Sequence, residues 1–139
     1  MMKIKVIYNR YIPLGDNGAM TFMPWIFTKR TLKDHELNHE MIHVEQQKEM
    51  LMLGVVLAIA LALAGLGWWS LLALPLFFVW YGIEYAIRFI VYRNHYEAYR
   101  NISLEQEAYM NQYDYGYTNY RKPFAWILWI WKKEFNKKV

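Results

Sequence analysis

The chain has 139 residues, 56% of them hydrophobic and 19% aromatic, with a formal net charge of +4. A chain of this length and composition is one domain and is too apolar for disorder, and the absence of cysteine removes disulfides and thiolate metal sites, so any metal must rest on His and carboxylate. The basic residues flank a long apolar run and form no single stripe, which favours lipid headgroups over nucleic acid as the anionic partner.

The N-terminal Met1-Met2-Lys3-Ile4-Lys5 lacks the apolar core and cleavage site of a signal peptide. Positions 3–8 alternate polar and apolar residues and read as a strand. Positions 19–27 read as a second strand, pushed toward an edge by Pro24, with Gly15-Asp16-Asn17-Gly18 as the turn between them. From Leu32 the pattern is helical, with Asp34 as N-cap or first-turn carboxylate. This helix carries His39-Glu40-Met41-Ile42-His43, an H-E-x-x-H sequence, followed by Val44-Glu45-Gln46-Gln47. Residues four apart share a helix face, so both imidazoles can reach one metal ion, while Glu40 lies about 100° away around the axis. That is the set zinc hydrolysis needs: neutral nitrogen ligands, an open coordination position, and a carboxylate to take a proton from water. Gln46 or Gln47 can hydrogen-bond a ligand or a substrate backbone, or simply face solvent. The alternative for the motif itself is an amphipathic helix carrying exposed His and Glu.

Positions 50–83 form 34 consecutive uncharged residues, nearly all apolar. A bilayer-spanning helix needs about 20, and a small soluble domain cannot easily cover so long a run. Gly65-Leu66-Gly67 marks a turn and Trp68-Trp69 suit a membrane interface, so the run reads as a helical hairpin over about 50–87, into which the long H-E-x-x-H helix leads. Its arms are expected at 50–64 and 68–87, with Pro75 kinking the second. Charge lies before and after the hairpin and none in its turn, which puts both chain ends on the cytoplasmic side. Ser103 is a good N-cap for a helix through Leu104-Glu105-Gln106-Glu107-Ala108-Tyr109, with Gln106 at the capping-box position. Positions 113–120 read as a loop, and positions 124–133, rich in Trp and Lys, as an interfacial helix or as a helix packed on the core.

A catalytic zinc site takes a third protein ligand. The candidates are His35, His95, Glu45, Glu49, Glu84, Glu97, Glu105 and Glu107. His35 shares the helix of His39 and would crowd the geometry; Glu105 and Glu107 stand on a separate helix that can approach from the other side. Here the chain resembles the gluzincin metallopeptidases, in which H-E-x-x-H is completed by a Glu on a later helix, often in E-x-x-A-D. Glu105 falls on that ligand position, Glu107 is the fallback, and Tyr109 replaces the usual Asp. The layout looks like a much reduced HtpX-type membrane peptidase. It is more closely similar to small bacterial proteins carrying H-E-x-I-H-x-x-Q-Q, an apolar hairpin and N-I-S-F-E-x-E-A-Y.

The resemblance implies a single zincin-like α+β domain over 1–139, mainly α with a small N-terminal β-hairpin. It implies a zinc metallopeptidase of the bacterial inner membrane that cuts a peptide or protein substrate. His39, His43 and Glu105 would hold Zn2+, with Glu40 as general base. Tyr109, Tyr113, Tyr115, Tyr117 and His95 are candidates to assist the oxyanion. A non-catalytic zinc-binding membrane protein with a regulatory or interaction role is the alternative.

Overall fold

The computed structural model describes residues 3–13 and 18–132. The expected turn at 15–17 and the end of the basic tail, from position 133 on, lie outside them. The chain is mainly helical with a small sheet near the N-terminus. Three strands, β1 (Lys5–Tyr8), β2 (Ala19–Phe22) and β3 (Trp25–Thr28), make one sheet in the order β1-β3-β2. The expected hairpin of two strands is therefore corrected. Pro24 brings no N–H to a ladder and breaks the second stretch into β2 and β3, which pair antiparallel with Phe22 opposite Trp25. β1 runs parallel to β3, with Lys5 opposite Trp25. One edge of β2 is thereby left unpaired within the sheet.

Helix α1 (Asp34–Leu61) runs 28 residues, from the H-E-x-x-H sequence straight into the apolar segment. Its cap residue is Lys33, and Asp34 and Glu36 supply first-turn carboxylates. Glu36 accepts from the Lys33 backbone N–H at 2.8 Å and pairs with Arg30 at 2.5 Å. The two halves of α1 are inverted relative to a soluble amphipathic helix. Asn38, His39, Glu40, His43, Gln46 and Gln47 are buried, whereas Met52, Val56 and Ile59 stand open.

After Leu61 the chain turns through Ala62–Leu66 and a 3-10 segment, Gly67–Ala73. Gly65 (φ 91°) and Gly67 (φ 55°) occupy the left-handed region, where a side chain would be strained. Helix α2 (Leu76–Tyr92) returns antiparallel to α1. The returning arm thus starts later than the expected 68, and Pro75 does not kink it. Pro75 is the N-cap, a place where its missing N–H has no carbonyl to lose. At the neck of the hairpin Gly54 lets α1 touch the 3-10 segment: a Cβ there would lie 2.4 Å from the Ala73 carbonyl oxygen.

Helices α3 (His95–Arg100) and α4 (Ser103–Asn111) follow. Ser103 does not cap α4; Ile102 does, and the Ser103 N–H and hydroxyl both go to the Glu84 carboxylate, at 2.9 and 2.6 Å. Gln106 reaches back to the Asn101 carbonyl at 3.0 Å instead of closing a capping box. Trp80 and Arg88 complete the Glu84 shell, each at 3.1 Å. A carboxylate from α2 thus sits at the positive end of α4. The expected loop at 113–120 ends in a single helical turn, α5 (Tyr117–Tyr120). Of the two readings of 124–133, the described part follows the core-packed one, though as a 3-10 turn, Ala125–Trp129, whose Trp126 is buried against Trp80 with ring centroids 5.4 Å apart. Trp126 joins Met50, Phe77, Ile102 and Leu104 in the apolar core.

Gly54→Ala is expected to lower stability by about 1–3 kcal/mol, because the added methyl meets backbone and not a movable side chain. Thermal unfolding in detergent reads this. An unchanged midpoint would mean that α1 and the 3-10 segment are not in contact at this point.

Candidate metal centre

Residues from α1 and α4 converge where these helices pack on each other. His39 and His43 present their Nε2 atoms 3.1 Å apart. Glu105 brings Oε2 to 3.3 Å from His39 Nε2 and Oε1 to 3.4 Å from His43 Nε2. All three side chains are buried and their donor atoms lie within 4.8 Å of one another, so the group can hold a metal ion. Glu105 Oε2 is buried without a hydrogen-bond partner among the described residues, as is His39 Nδ1. Of the two acidic candidates on α4, it is Glu105 that meets the imidazoles.

Glu107 is spoken for. Its carboxylate takes the Tyr117 hydroxyl at 2.9 Å, the Gln46 amide at 2.9 Å and the Arg121 guanidinium at 2.5 Å, and Arg121 also pairs with Glu49. Gln46 in turn faces His43 Nδ1 with its carbonyl oxygen at 2.7 Å and donates to the Leu104 carbonyl at 3.0 Å. Because the Gln46 amide donates to Glu107 and Leu104, its oxygen must accept from His43 Nδ1–H. That leaves Nε2, on the side facing Glu105, as the atom that takes up a proton or a metal ion. Tyr109 packs edge-on against His39 with ring centroids 4.5 Å apart. The chain His43–Gln46–Glu107 links the imidazole to a buried carboxylate.

Burial works against a charged His43, but the Glu105 carboxylate outweighs it and holds the imidazole up at about 9. Burial alone would raise Glu105, and His43 and His39 hold it well below the ordinary carboxylate range instead. The cluster is a pocket that gathers positive charge.

Glu40 stands beside this group with its Oε2 accepting the Thr21 hydroxyl at 2.6 Å. It lines a cleft of about 370 Å³ together with His43, Glu105, Tyr81, His95 and Tyr99. The Tyr81 hydroxyl donates to Glu105 Oε1 at 2.8 Å. Burial and the nearby Glu105 push the Tyr99 hydroxyl up, and burial raises Tyr109 to about 12, so both remain proton donors at neutral pH.

The other expected residues divide. His95 faces the cleft and shares a hydrogen bond with the Tyr85 hydroxyl at 2.8 Å. Tyr113 does not join the centre; it stacks on His35 with centroids 4.9 Å apart. Tyr117 serves Glu107. Gln47 is a strut: it accepts from the Met23 N–H and donates to the Thr21 carbonyl, both at 2.8 Å, which fastens β2 to α1. Sequence reasoning missed Thr21, Tyr81, Tyr99 and Arg121. Of these, Tyr81 was detectable: with Glu84 it places polar groups in an otherwise apolar run, and such groups mark sites. No protein-family model matches the chain, nor does any curated protein or solved structure.

Arg121→Ala is expected to cost about 3–5 kcal/mol, since it leaves the fully buried Glu107 without its cation. Denaturant unfolding measures it, and a loss under about 1 kcal/mol, the worth of an exposed pair, would show that Glu107 is not held as described.

Proposed function

We propose that this protein is a zincin-like, membrane-associated zinc metallopeptidase. The observation that carries the reading is the convergence of His39, His43 and Glu105 from two helices with Glu40 beside them and a cleft in front. Two imidazoles and one carboxylate are a donor set of catalytic zinc. On a tetrahedral zinc two nitrogens lie about 3.3 Å apart, close to the separation of the two Nε2 atoms here. Zinc in such a set supplies Lewis acidity and lowers the pKa of water.

The protein's own groups supply the rest. Glu40, held by Thr21, takes the proton of the attacking water and passes it to the leaving amine. Tyr99 and His95 face the same cleft and are placed to donate to the carbonyl oxygen as charge develops on it. Ala19, Met20 and Thr21 of β2 line that cleft, so an extended substrate can lie against the strand.

The same reading places the hairpin in a bilayer, the bacterial inner membrane, with the site on the cytoplasmic side. The stretch Asp34–Ala73 contains a window of mean hydropathy 2.5, of which 17% is buried. Trp68 and Trp69 stand at the tip, 88% and 73% exposed. The part of α1 beyond Lys48 and Glu49 is only about 18 Å long, against about 30 Å of hydrocarbon. Such a short arm thins the bilayer and draws the polar site down to the headgroups, with the tip at the far interface.

Elemental analysis of detergent-purified protein should find one zinc per chain, and none in His39→Ala/His43→Ala; absence of zinc after reconstitution would sink the reading. Glu105→Gln should lose the metal, whereas Glu107→Gln should keep it with affinity down about 10–100-fold. Full zinc occupancy in Glu105→Gln would shift the third ligand to another group. Glu40→Gln should retain zinc and lose hydrolysis of a peptide library by at least about 100-fold. Bound zinc with no hydrolysis by the wild type would favour a binding role over a catalytic one.

A further inference from the structure

Two clefts of opposite character meet at the centre. The first lies on the hairpin side and is walled by Met20, Phe77, Phe78, Tyr81 and Tyr85. It continues into a groove lined by Phe22, Leu51, Leu74 and Pro75, which shares Phe77, Phe78 and Gln47 with it. Phe22 stacks on Phe78 with centroids 5.5 Å apart, and both rings stay about half exposed, so the apolar path runs unbroken from the hairpin neck to His43. The second cleft, about 390 Å³, lies on the far side of Glu40, toward the start of α1. His35, Glu36, Arg100 and Gln112 line it, together with His39 and Glu40. The Arg100 guanidinium stacks over the Tyr109 ring, 4.5 Å from its centroid, and over Tyr96, 5.3 Å away. Ala19, Glu40 and Tyr99 belong to both clefts.

From this arrangement we infer that the substrate is a peptide that changes from apolar to polar at the bond to be cut, the juxtamembrane segment of a membrane protein. The inference rests on the metallopeptidase reading and names its substrate class. A chain crossing the centre must lay one flank among Phe and Tyr rings and the other among charged and amide groups. Each unsuited flank is penalised: polar residues on the hairpin side lose water without a partner, and apolar residues on the far side bury nothing. The apolar path starts where the hairpin meets the site, at Leu51 and Leu74, so the apolar flank arrives from the lipid side.

The probes are peptide hydroxamates, which deliver a zinc-binding group with a tail extending in either chain direction. Each carries four residues, all Leu or all Ser, on the amino or the carboxyl side, and binding is read by calorimetry on zinc-loaded protein in detergent. On one side Leu tails should bind about 10-fold or more tighter than Ser tails, and on the other side Leu should gain nothing. Phe78→Ser should erase most of the Leu preference, with zinc content and acetohydroxamate affinity unchanged. In nanodiscs, lengthening the apolar tail to about 20 residues should tighten binding about 10-fold further.

Zinc binding with equal affinity for Leu and Ser tails, a Leu preference on both sides, or a preference indifferent to Phe78→Ser overturns the inference alone. No gain from the long tail in nanodiscs overturns the membrane source of the segment. Failure to bind zinc overturns the metallopeptidase reading and this inference with it.

Discussion

A carboxylate without water needs a positive partner, and the packing around α4 buries three of them. Each is compensated differently. Glu84 meets the N–H and hydroxyl of Ser103 at the positive end of the helix, with Arg88 alongside. Glu107 meets Arg121, Gln46 and Tyr117. The ion-pair partners of Glu105 are two imidazoles, which are charged only when protonated, and the Tyr81 hydroxyl donates to it. Burying an ion costs several kcal/mol even after relaxation, and the His43 imidazole offsets this by taking up a proton. A divalent cation does the same work without the proton. The asymmetry among three neighbouring carboxylates is the physical argument for a metal, and it is independent of the H-E-x-x-H spacing.

The hairpin is tied into this arrangement. Helix α2 carries both Tyr81, which donates to Glu105, and Glu84, which holds the start of the helix on which Glu105 sits. Phe77 of the same helix belongs to the core with Met50 and Leu104, and it lines the cleft. The apolar segment is therefore part of the architecture of the centre. It orients a donor, supplies a wall of the cleft and fixes the register of α4.

Legibility in the sequence followed the range of the interactions. His39, Glu40 and His43 were readable because a helix brings residues four apart together whatever else the fold does. The continuous helix from the motif into the apolar run was readable for the same reason. Glu105 came through resemblance, and the structure prefers it to Glu107 because Arg121, fourteen residues beyond Glu107, claims the latter. Nothing local announces that partner. Ser103 had the chemistry of an N-cap, but a tertiary carboxylate outcompeted its own backbone. Pro24 was read as an edge signal and Pro75 as a kink, whereas each falls between two elements. Thr21 sits nineteen positions before Glu40, and the strut from Gln47 to β2 holds it there.

The inverted burial of α1 links these points. One rigid helix carries its polar half inside and its apolar half outside, so the distance between the centre and the apolar segment is fixed by helix rise. From His43 to Met50 is seven residues, about 10 Å. A bilayer of about 30 Å of hydrocarbon extends to about 40–45 Å with its headgroups, so each headgroup layer is about 5–8 Å thick. On the proposed membrane reading, with the apolar half in the hydrocarbon, the centre would stand at the boundary between headgroups and water. The proposed hydrolysis would need water and the proposed apolar substrate flank lipid; that height would put both within reach of one site. A helix broken between His43 and Met50 would lose this register, which gives the uninterrupted run from motif to hairpin a functional reason as well as a structural one.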